Sequence, residues 1–436
     1  MECFNLNEKD CQMTLIPSFR ASSGIRPEVR IHCPQAQKVS VYGIKNEEVC
    51  NVLESIPLFE GTNKIDLDLM GMTGDIRLQF KFYNVYGEII CTKEFPYQVM
   101  NVEVKSTTLI DGCWISIYHW SEGEARWFNG DLKKLTDEDW KKQIYSMNEV
   151  GIKGIIIQNV FHCDEYAGKH SMSVKDYKGL ALYPSGLFGE RYPIAAHDPV
   201  EAILSAADEC EMSVFMGVGS FAWFDFSPEA LEWHKNVTNE LFELYGTHKS
   251  LYGWYVSAEI FGALYYDYPH VENEKYKEIV TFFQEYKAFV DKLTPTKPIA
   301  FAPNNIRFQE FEKEWKEILP NVDILLPFAF ARDPENLNIK EIADICEACC
   351  THFWVDMEMF AWPIDNGLLP KSIEELIGEI RFYDDVEQIY GYQFTGIMNP
   401  PDNQYNLGGE RAKELYKRYM EYYKCIGERN NGGGIL

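Results

Sequence analysis

The stretch Trp354–Phe360, WVDMEMF, is apolar at Val355, Met357 and Met359 yet carries Asp356 and Glu358 between them. An apolar run of this length reads as a buried strand. A second run, GWYVSAEIF at Gly253–Phe261, poses the same problem by ending on Glu259 just before Ile260 and Phe261. A buried carboxyl is stable only if it is paired or if its pKa moves to neutralise it. The place of these strands in the fold decides why they carry carboxyls.

The flanking sequence supplies that place. From residue 106 onward, apolar strand-like runs alternate with amphipathic helical patterns. TTLIDGCWISIYHW (107–120) precedes the helical TDEDWKKQIYSMNEVG (136–151). The same order repeats after IKGIIIQNVF (152–161), SVFMGVGSFAW (213–223), LYGWYVSAEIF (251–261) and PIAFAPNN (298–305). It repeats again after DILLPFAF (323–330), THFWVDMEMF (351–360) and YGYQFTGIMNPP (390–401), giving eight strands and eight helices. Strict alternation means a parallel sheet covered by helices, and eight units fit a closed (β/α)8 TIM barrel. A doubly wound sheet is the alternative, but no glycine-rich phosphate fingerprint follows the first strand. Thr136 with Asp139 forms a capping-box pattern that predicts a helix start.

Residues 1–105 follow another period. Runs such as PEVRIHC, KVSVYGI and DIRLQFKFYNVYG alternate in polarity between Gly, Pro and Asn turns, with no long helical pattern. The expected organisation is a small all-β sandwich over 1–105, a barrel over 106–425 and a flexible glycine-rich tail over 426–436.

In a (β/α)8 barrel, chemistry sits at the C-terminal ends of the strands. GWYVSAEIF is the fourth strand and HFWVDMEMF the seventh, so Glu259 and Glu358 lie at those ends. Strand alternation turns Tyr255, Ser257 and Glu259 toward the axis and Trp254, Val256 and Ala258 toward the helices. It likewise turns Asp356 and Glu358 inward, with Asp356 expected one layer deeper. Glycoside cleavage needs one protonated and one ionised carboxyl across the scissile bond, and an apolar pocket raises a carboxyl's pKa. The competing reading is that each glutamate caps a helix or pairs with an arginine.

A glutamate after barrel strand 4 and another after strand 7 resembles the clan A retaining glycoside hydrolases. The chain is also similar to an uncharacterised group of bacterial barrel proteins regarded as glycoside hydrolases, with a WY strand ending in Glu and an N-terminal β-sandwich. The resemblance covers about residues 106–425. It implies a double-displacement mechanism with Glu259 as acid/base and Glu358 as nucleophile. The clan usually has Asn immediately before the acid/base, in contact with the sugar 2-hydroxyl. This chain has Ala258 there, and Asn159 or Asn304 is offered as a substitute.

The remaining strand ends carry aromatics, amides and imidazoles. Trp114 and His119 follow strand 1, Asn159 and His162 strand 2, Trp223 strand 3 and Asn304 strand 5. Phe328, Phe330 and Arg332 follow strand 6, Trp362 strand 7, and Gln393 ends strand 8. Such residues suit a neutral sugar, with rings on its C–H faces and amides on its hydroxyls. Trp114, Trp223 and Trp362 are expected to form an aromatic wall. For each aromatic the competing role is loop packing, and for each histidine a satisfied structural position.

Composition narrows the partners. The formal charge is −26, from 41 basic and 67 acidic residues. No basic cluster offsets it, which argues against nucleic acid and anionic membranes. No apolar run is long enough to span a bilayer. The 9 histidines are dispersed, HExxH is absent, and CEACC (Cys346–Cys350) has no matching second cysteine pair nearby, so neither a metal nor a cofactor is expected. No G-x-S-x-G elbow is present. The 12 scattered cysteines and an N-terminus without a signal-peptide pattern fit a cytoplasmic protein, secretion being the alternative if a signal peptide precedes this sequence. The expected partner is a carbohydrate. The rival readings are a non-catalytic carbohydrate-binding barrel and a metal-dependent barrel hydrolase or lyase using Asp111, His119 or His162.

Overall fold

A computed structural model describes residues 11–163, 173–219, 225–264, 275–335, 337–361 and 367–431. Trp223 and Trp362 lie outside them. The chain divides into two compact units, Met1–Thr107 with Val290–Lys297 and Ile426–Leu436 in one, and Thr108–Phe289 with Pro298–Cys425 in the other.

The first unit is built from period-2 strands. Gln12–Ile16, Glu28–His32 and Asn63–Asp66 pair antiparallel in a three-stranded sheet. Arg20–Ser22, Ile89–Met100, Gly74–Tyr83, Lys38–Lys45 and Glu48–Pro57 lie side by side, in that order, in a five-stranded sheet. Along Gly74–Tyr83, Ile76, Leu78, Phe80 and Phe82 are buried while Asp75 and Arg77 face water. Those buried side chains share one core with Leu15, Val29 and Ile31 of the other sheet, the arrangement of a sandwich.

The second unit is the barrel. Its strands are β1 (Gly112–Ile115), β2 (Gly154–Ile157), β3 (Ser213–Gly217), β4 (Leu251–Val256), β5 (Ile299–Phe301), β6 (Ile324–Leu325), β7 in two segments (His352–Phe353 and Val355–Glu358) and β8 (Ile389–Tyr392). Neighbours pair in parallel from β1 to β7. The second segment of β7 pairs with β8 and β8 with β1, so the ring closes. Trp354 interrupts β7, and its two segments pair with different neighbours. The covering helices are α1 (Asp137–Glu149), α2 (Pro199–Glu209), α3 (Pro228–Tyr245), α4 (Lys275–Leu293), α5 (Glu312–Ile318), α6 (Ile339–Ala348), α7 (Ile373–Ile380) and α8 (Gly409–Asn431). The fold is therefore a (β/α)8 TIM barrel preceded by an all-β region.

Aromatic side chains fill the barrel axis. Tyr390 of β8 projects across β1 and β2, and a Cβ added at Gly112 or Gly154 would meet it at 2.2 or 2.0 Å. Only glycine fits at those two positions. Trp354 stacks on Tyr390 with ring centroids 5.1 Å apart, and Trp114 meets it edge-on at 6.1 Å.

Thr136 opens α1 with a capping box: its side chain accepts from the Asp139 N–H, and the Asp139 carboxylate accepts from the Thr136 N–H at 3.1 Å. Thr136→Ala should cost about 1 kcal/mol in a denaturant melt, because it strands one helix-start donor. An unchanged midpoint would show that the cap does not contribute. At the other end, α8 runs on to Asn431, past residue 425 where a flexible tail was expected to begin. The glycine run that disfavours helix starts only at Gly432.

Candidate active site

Short barrel strands hand over early to loops, and side chains from seven of the eight strand ends enclose a cavity of about 280 Å³. Trp120 and Glu124 follow β1, and Gln158 follows β2. Tyr255 belongs to β4, with Ser257, Ala258, Glu259 and Phe261 beyond it. Phe328 and Arg332 come from the loop after β6, Asp356 and Glu358 from β7, and Tyr392 ends β8. Ala302 and Phe360 complete the lining.

The two glutamates singled out in the sequence thus face one cavity, in different settings. Glu358 is held by Arg332, whose Nε donates to both carboxylate oxygens at 3.0 and 3.1 Å and whose Nη2 donates to Oε1. The arginine sits on a turn, Phe330–Arg332, that Ala329 enters with φ of 71°. The backbone of Glu358 is also fixed, since Lys371 donates to its carbonyl while pairing with Glu379. Glu259 keeps part of its surface open to the cavity. Burial pushes its carboxyl up to about 7, opposed by the Arg332 charge and assisted by that of Glu358.

Two more carboxyls share the space. Burial, then the charge of Glu259, pushes Glu124 up to about 8. Burial, then the charges of Glu358 and Glu259, pushes Asp356 far above the usual carboxylate range. Asp356 is 6% exposed and its Oδ1 has no hydrogen-bond partner. It had been expected one layer below the cavity, but it lines the wall itself. Ala258 also lines the cavity although alternation turned it toward the helices. The alternation stops because β4 ends at Val256 and the chain turns, with the Ala258 N–H donating to the Val256 carbonyl at 2.9 Å.

The other sequence candidates among the described residues lie behind the lining. Trp114 is fully buried in the barrel axis, edge-on to Tyr255 at 5.9 Å, so it supports the floor and is not part of the wall. His119 is buried, and that burial pushes it down to about 3, which leaves it neutral. The Ser121 N–H donates to its Nδ1 at 3.1 Å. Its Nε2 faces the Tyr392 hydroxyl at 3.1 Å. That hydroxyl donates to Gln158 Oε1 at 2.9 Å, so His119 orients two lining residues without touching the cavity. Asn159 donates to the Phe161 carbonyl at 2.7 Å, and Asn304 accepts from the Ile306 N–H at 2.9 Å. Gln393 donates to the Thr395 carbonyl at 2.8 Å. His162 packs edge-on against Tyr118 and Tyr192, each at 4.9 Å. Neither Asn159 nor Asn304 lines the cavity, so neither fills the place left by Ala258. Asp111 is fully buried and accepts from the Ile389 N–H at 3.0 Å.

The described aromatic wall is Trp120, Tyr255, Phe261, Phe328, Phe360 and Tyr392. Sequence reasoning passed over Glu124. Its one signal was a pair of acids, Glu122 and Glu124, directly after His119 and Trp120 at the first strand end. Among the described residues, no group of three or more His, Cys, Asp or Glu side chains is placed to hold a metal ion, and no helix is long and apolar enough to cross a membrane.

Fold and cavity together define a TIM barrel with an acidic, aromatic-walled mouth. The chain belongs to the family DUF4434, described as a domain of unknown function, whose model matches residues 110–405. Among curated proteins none matches. Among solved structures, a Bacteroides thetaiotaomicron protein described as a candidate alpha-L-fucosidase is 17% identical with a TM-score of 0.51, over 72% of this chain and 95% of that one. A β-D-glucuronidase from Dictyoglomus thermophilum is 13% identical with a TM-score of 0.43, over 95% of this chain and 68% of that one. A GH2 β-galacturonidase from Eisenbergiella tayi is 11% identical with a TM-score of 0.41, over 92% of this chain and 69% of that one. The first of these likenesses agrees with the barrel fold.

Proposed function

We propose that the protein is a glycoside hydrolase working by double displacement, with Glu259 as acid/base and Glu358 as nucleophile. The observation that carries this reading is the opposed setting of two glutamates on one cavity. Glu259 is pushed up to about 7 by burial, while Glu358 is ion-paired with Arg332. One carboxyl is poised to give a proton and the other to stay charged, which is the division of labour that glycoside cleavage requires.

In the first step Glu259 protonates the leaving oxygen as the Glu358 carboxylate attacks the anomeric carbon, forming a glycosyl ester. In the second, Glu259 takes a proton from water as that water displaces Glu358. Burial drives Asp356 toward its neutral form, which disfavours it as a nucleophile. The aromatic wall suits the C–H faces of a sugar, and the solved structures named above carry glycosidase names. A second reading, a sugar-binding barrel without turnover, is favoured by the Arg332 clamp, which engages both oxygens of the nucleophile.

Turnover of a panel of nitrophenyl glycosides separates the two, and NMR of the first-formed product anomer tests retention. Hydrolysis with inversion would remove the double-displacement mechanism. Binding with no hydrolysis of any glycoside would remove the enzyme reading. A pH profile adds a check. The acid must be protonated, so kcat/KM should fall as pH rises through about 7, the value toward which burial moves Glu259. Because Glu124 titrates beside it, that limb belongs to the coupled carboxyls. A profile flat from pH 6 to 9 would exclude Glu259 as the acid.

A further inference from the structure

Carboxyls outnumber cations in the cavity lining. Its described residues include four carboxyls, Glu124, Glu259, Asp356 and Glu358, against one cation, Arg332. That guanidinium is committed to Glu358 through two of its nitrogens. Two carboxyls beyond a catalytic pair are more than glycoside cleavage needs. A neutral sugar would leave them to neutralise themselves by taking up protons, the condition toward which burial already drives Glu124 and Asp356. A second observation points to a missing donor. Asp356 is more than nine-tenths buried, lines the cavity, and its Oδ1 has no hydrogen-bond partner. Buried polar atoms in proteins are mostly hydrogen-bonded, and of those without a hydrogen-bond partner among the described residues only Asp356 Oδ1 belongs to a residue that lines the cavity, which marks a place for a ligand's N–H or O–H.

We propose that the cavity takes an amino sugar, with Glu124 as the counter-charge of the sugar's ammonium group and Asp356 as an acceptor for a second donor of the same ring. The proposal rests on the glycosidase reading for the orientation of the sugar. An ammonium offers three donors and no acceptor, which matches a wall of carboxyl oxygens. It would also hold Glu124 in its ionised form inside a desolvated site, where an unpaired carboxylate is costly. A uronic acid would instead add a fifth carboxyl to the four already there and would be repelled. Glu124 is set for this task by its surroundings. It stands 3.8 Å from the neutral His119 ring, and Glu259, Glu358 and Arg332 are the charges that act on it.

The test measures binding and turnover separately. Glucosamine, galactosamine and mannosamine are titrated by calorimetry against glucose, galactose, mannose and the matching uronic acids. Nitrophenyl glycosides are assayed in parallel. At least one hexosamine should bind about tenfold to a hundredfold more tightly than its neutral parent, the range of a charge-assisted hydrogen bond, and uronic acids should bind more weakly than either. Glu124→Gln should reduce that preference to less than about threefold, while Glu122→Gln, on an exposed loop position outside the cavity, should keep it. Hexosamines binding no more tightly than neutral sugars, or a preference that survives Glu124→Gln in a folded protein, would overturn the proposal. Hexosamine binding without hydrolysis of any glycoside would overturn the hydrolase reading and leave the ammonium site standing. Hydrolysis of neutral glycosides without hexosamine preference would do the reverse.

Discussion

Glu358→Gln is expected to lower the turnover of a good aryl glycoside substrate by on the order of 10⁴-fold or more, the scale seen when a covalent nucleophile is removed. Binding of the same sugar should change only a few-fold, because glutamine keeps the shape and one acceptor oxygen for Arg332. The Glu358 side chain is 7% exposed and Arg332 44%, so the freed guanidinium can reach water and the fold should survive. Thermal melting of the variant checks that. Glu358→Ala supplies the sharper chemical readout. With the carboxylate gone, a small anion such as azide can enter and attack the anomeric carbon once, giving a glycosyl azide of the opposite anomeric configuration to the wild-type product. Rescue with that stereochemistry would identify the side of the sugar from which Glu358 attacks. A folded Glu358→Gln protein that keeps a tenth of its activity would leave Glu358 as the structural partner of Arg332 and nothing more.

The fold was legible because its signals are long and repeated. Strand-like runs and helical patterns alternate through the second unit, and no local ambiguity in a single run can disguise that order. Glu358 was legible for a related reason, since strand number and parity together locate its side chain at the barrel mouth, whereas Glu259 lies past the end of β4 and strand number alone pointed to it. The rest of the cavity was harder to read, because parity ends where a strand ends. β1 stops at Ile115 and β4 at Val256, so the lining after them comes from loops whose direction no period describes. Trp114 looked like wall because it lies near a strand end, but it is on the strand itself and points into the axis beneath Tyr255. His119 looked like a ligand for substrate, yet its hydrogen bonds turn it toward Tyr392. Glu124 was missed because a loop glutamate after a strand has no periodic signature. Its importance appears only when Glu259 and Glu358 are brought beside it. Arg332 was visible at the end of strand 6, but its grip on Glu358 depends on a turn entered through a positive φ at Ala329, which the sequence does not advertise.

Glu259→Ala should separate substrates by the quality of their leaving groups. A general acid typically contributes 10²–10⁴-fold, and it does so by stabilising the departing oxygen. A dinitrophenolate leaves readily without a proton, so formation of the glycosyl ester from a dinitrophenyl glycoside should slow by less than about tenfold. A methyl or sugar leaving group depends on protonation and should lose about 10²–10⁴-fold. The second half of the reaction also suffers, because Glu259 then acts as base toward water. With a dinitrophenyl glycoside, hydrolysis of the ester becomes limiting, and a burst of one equivalent of phenol per enzyme should precede a slow steady state. The pH profile gives an independent sign. In the wild type kcat/KM is expected to fall through about pH 7 as the coupled Glu259 and Glu124 carboxyls lose protons, and in the variant the part of that limb due to Glu259 should vanish for dinitrophenyl substrates. Glu124 is the alternative donor, since burial pushes it up to about 8 in the same cavity. If Glu124→Gln, and not Glu259→Ala, produced the leaving-group dependence and removed the alkaline limb, the acid role would pass to Glu124. Equal losses for good and poor leaving groups in Glu259→Ala would show that Glu259 acts on the shape of the site and not on the proton.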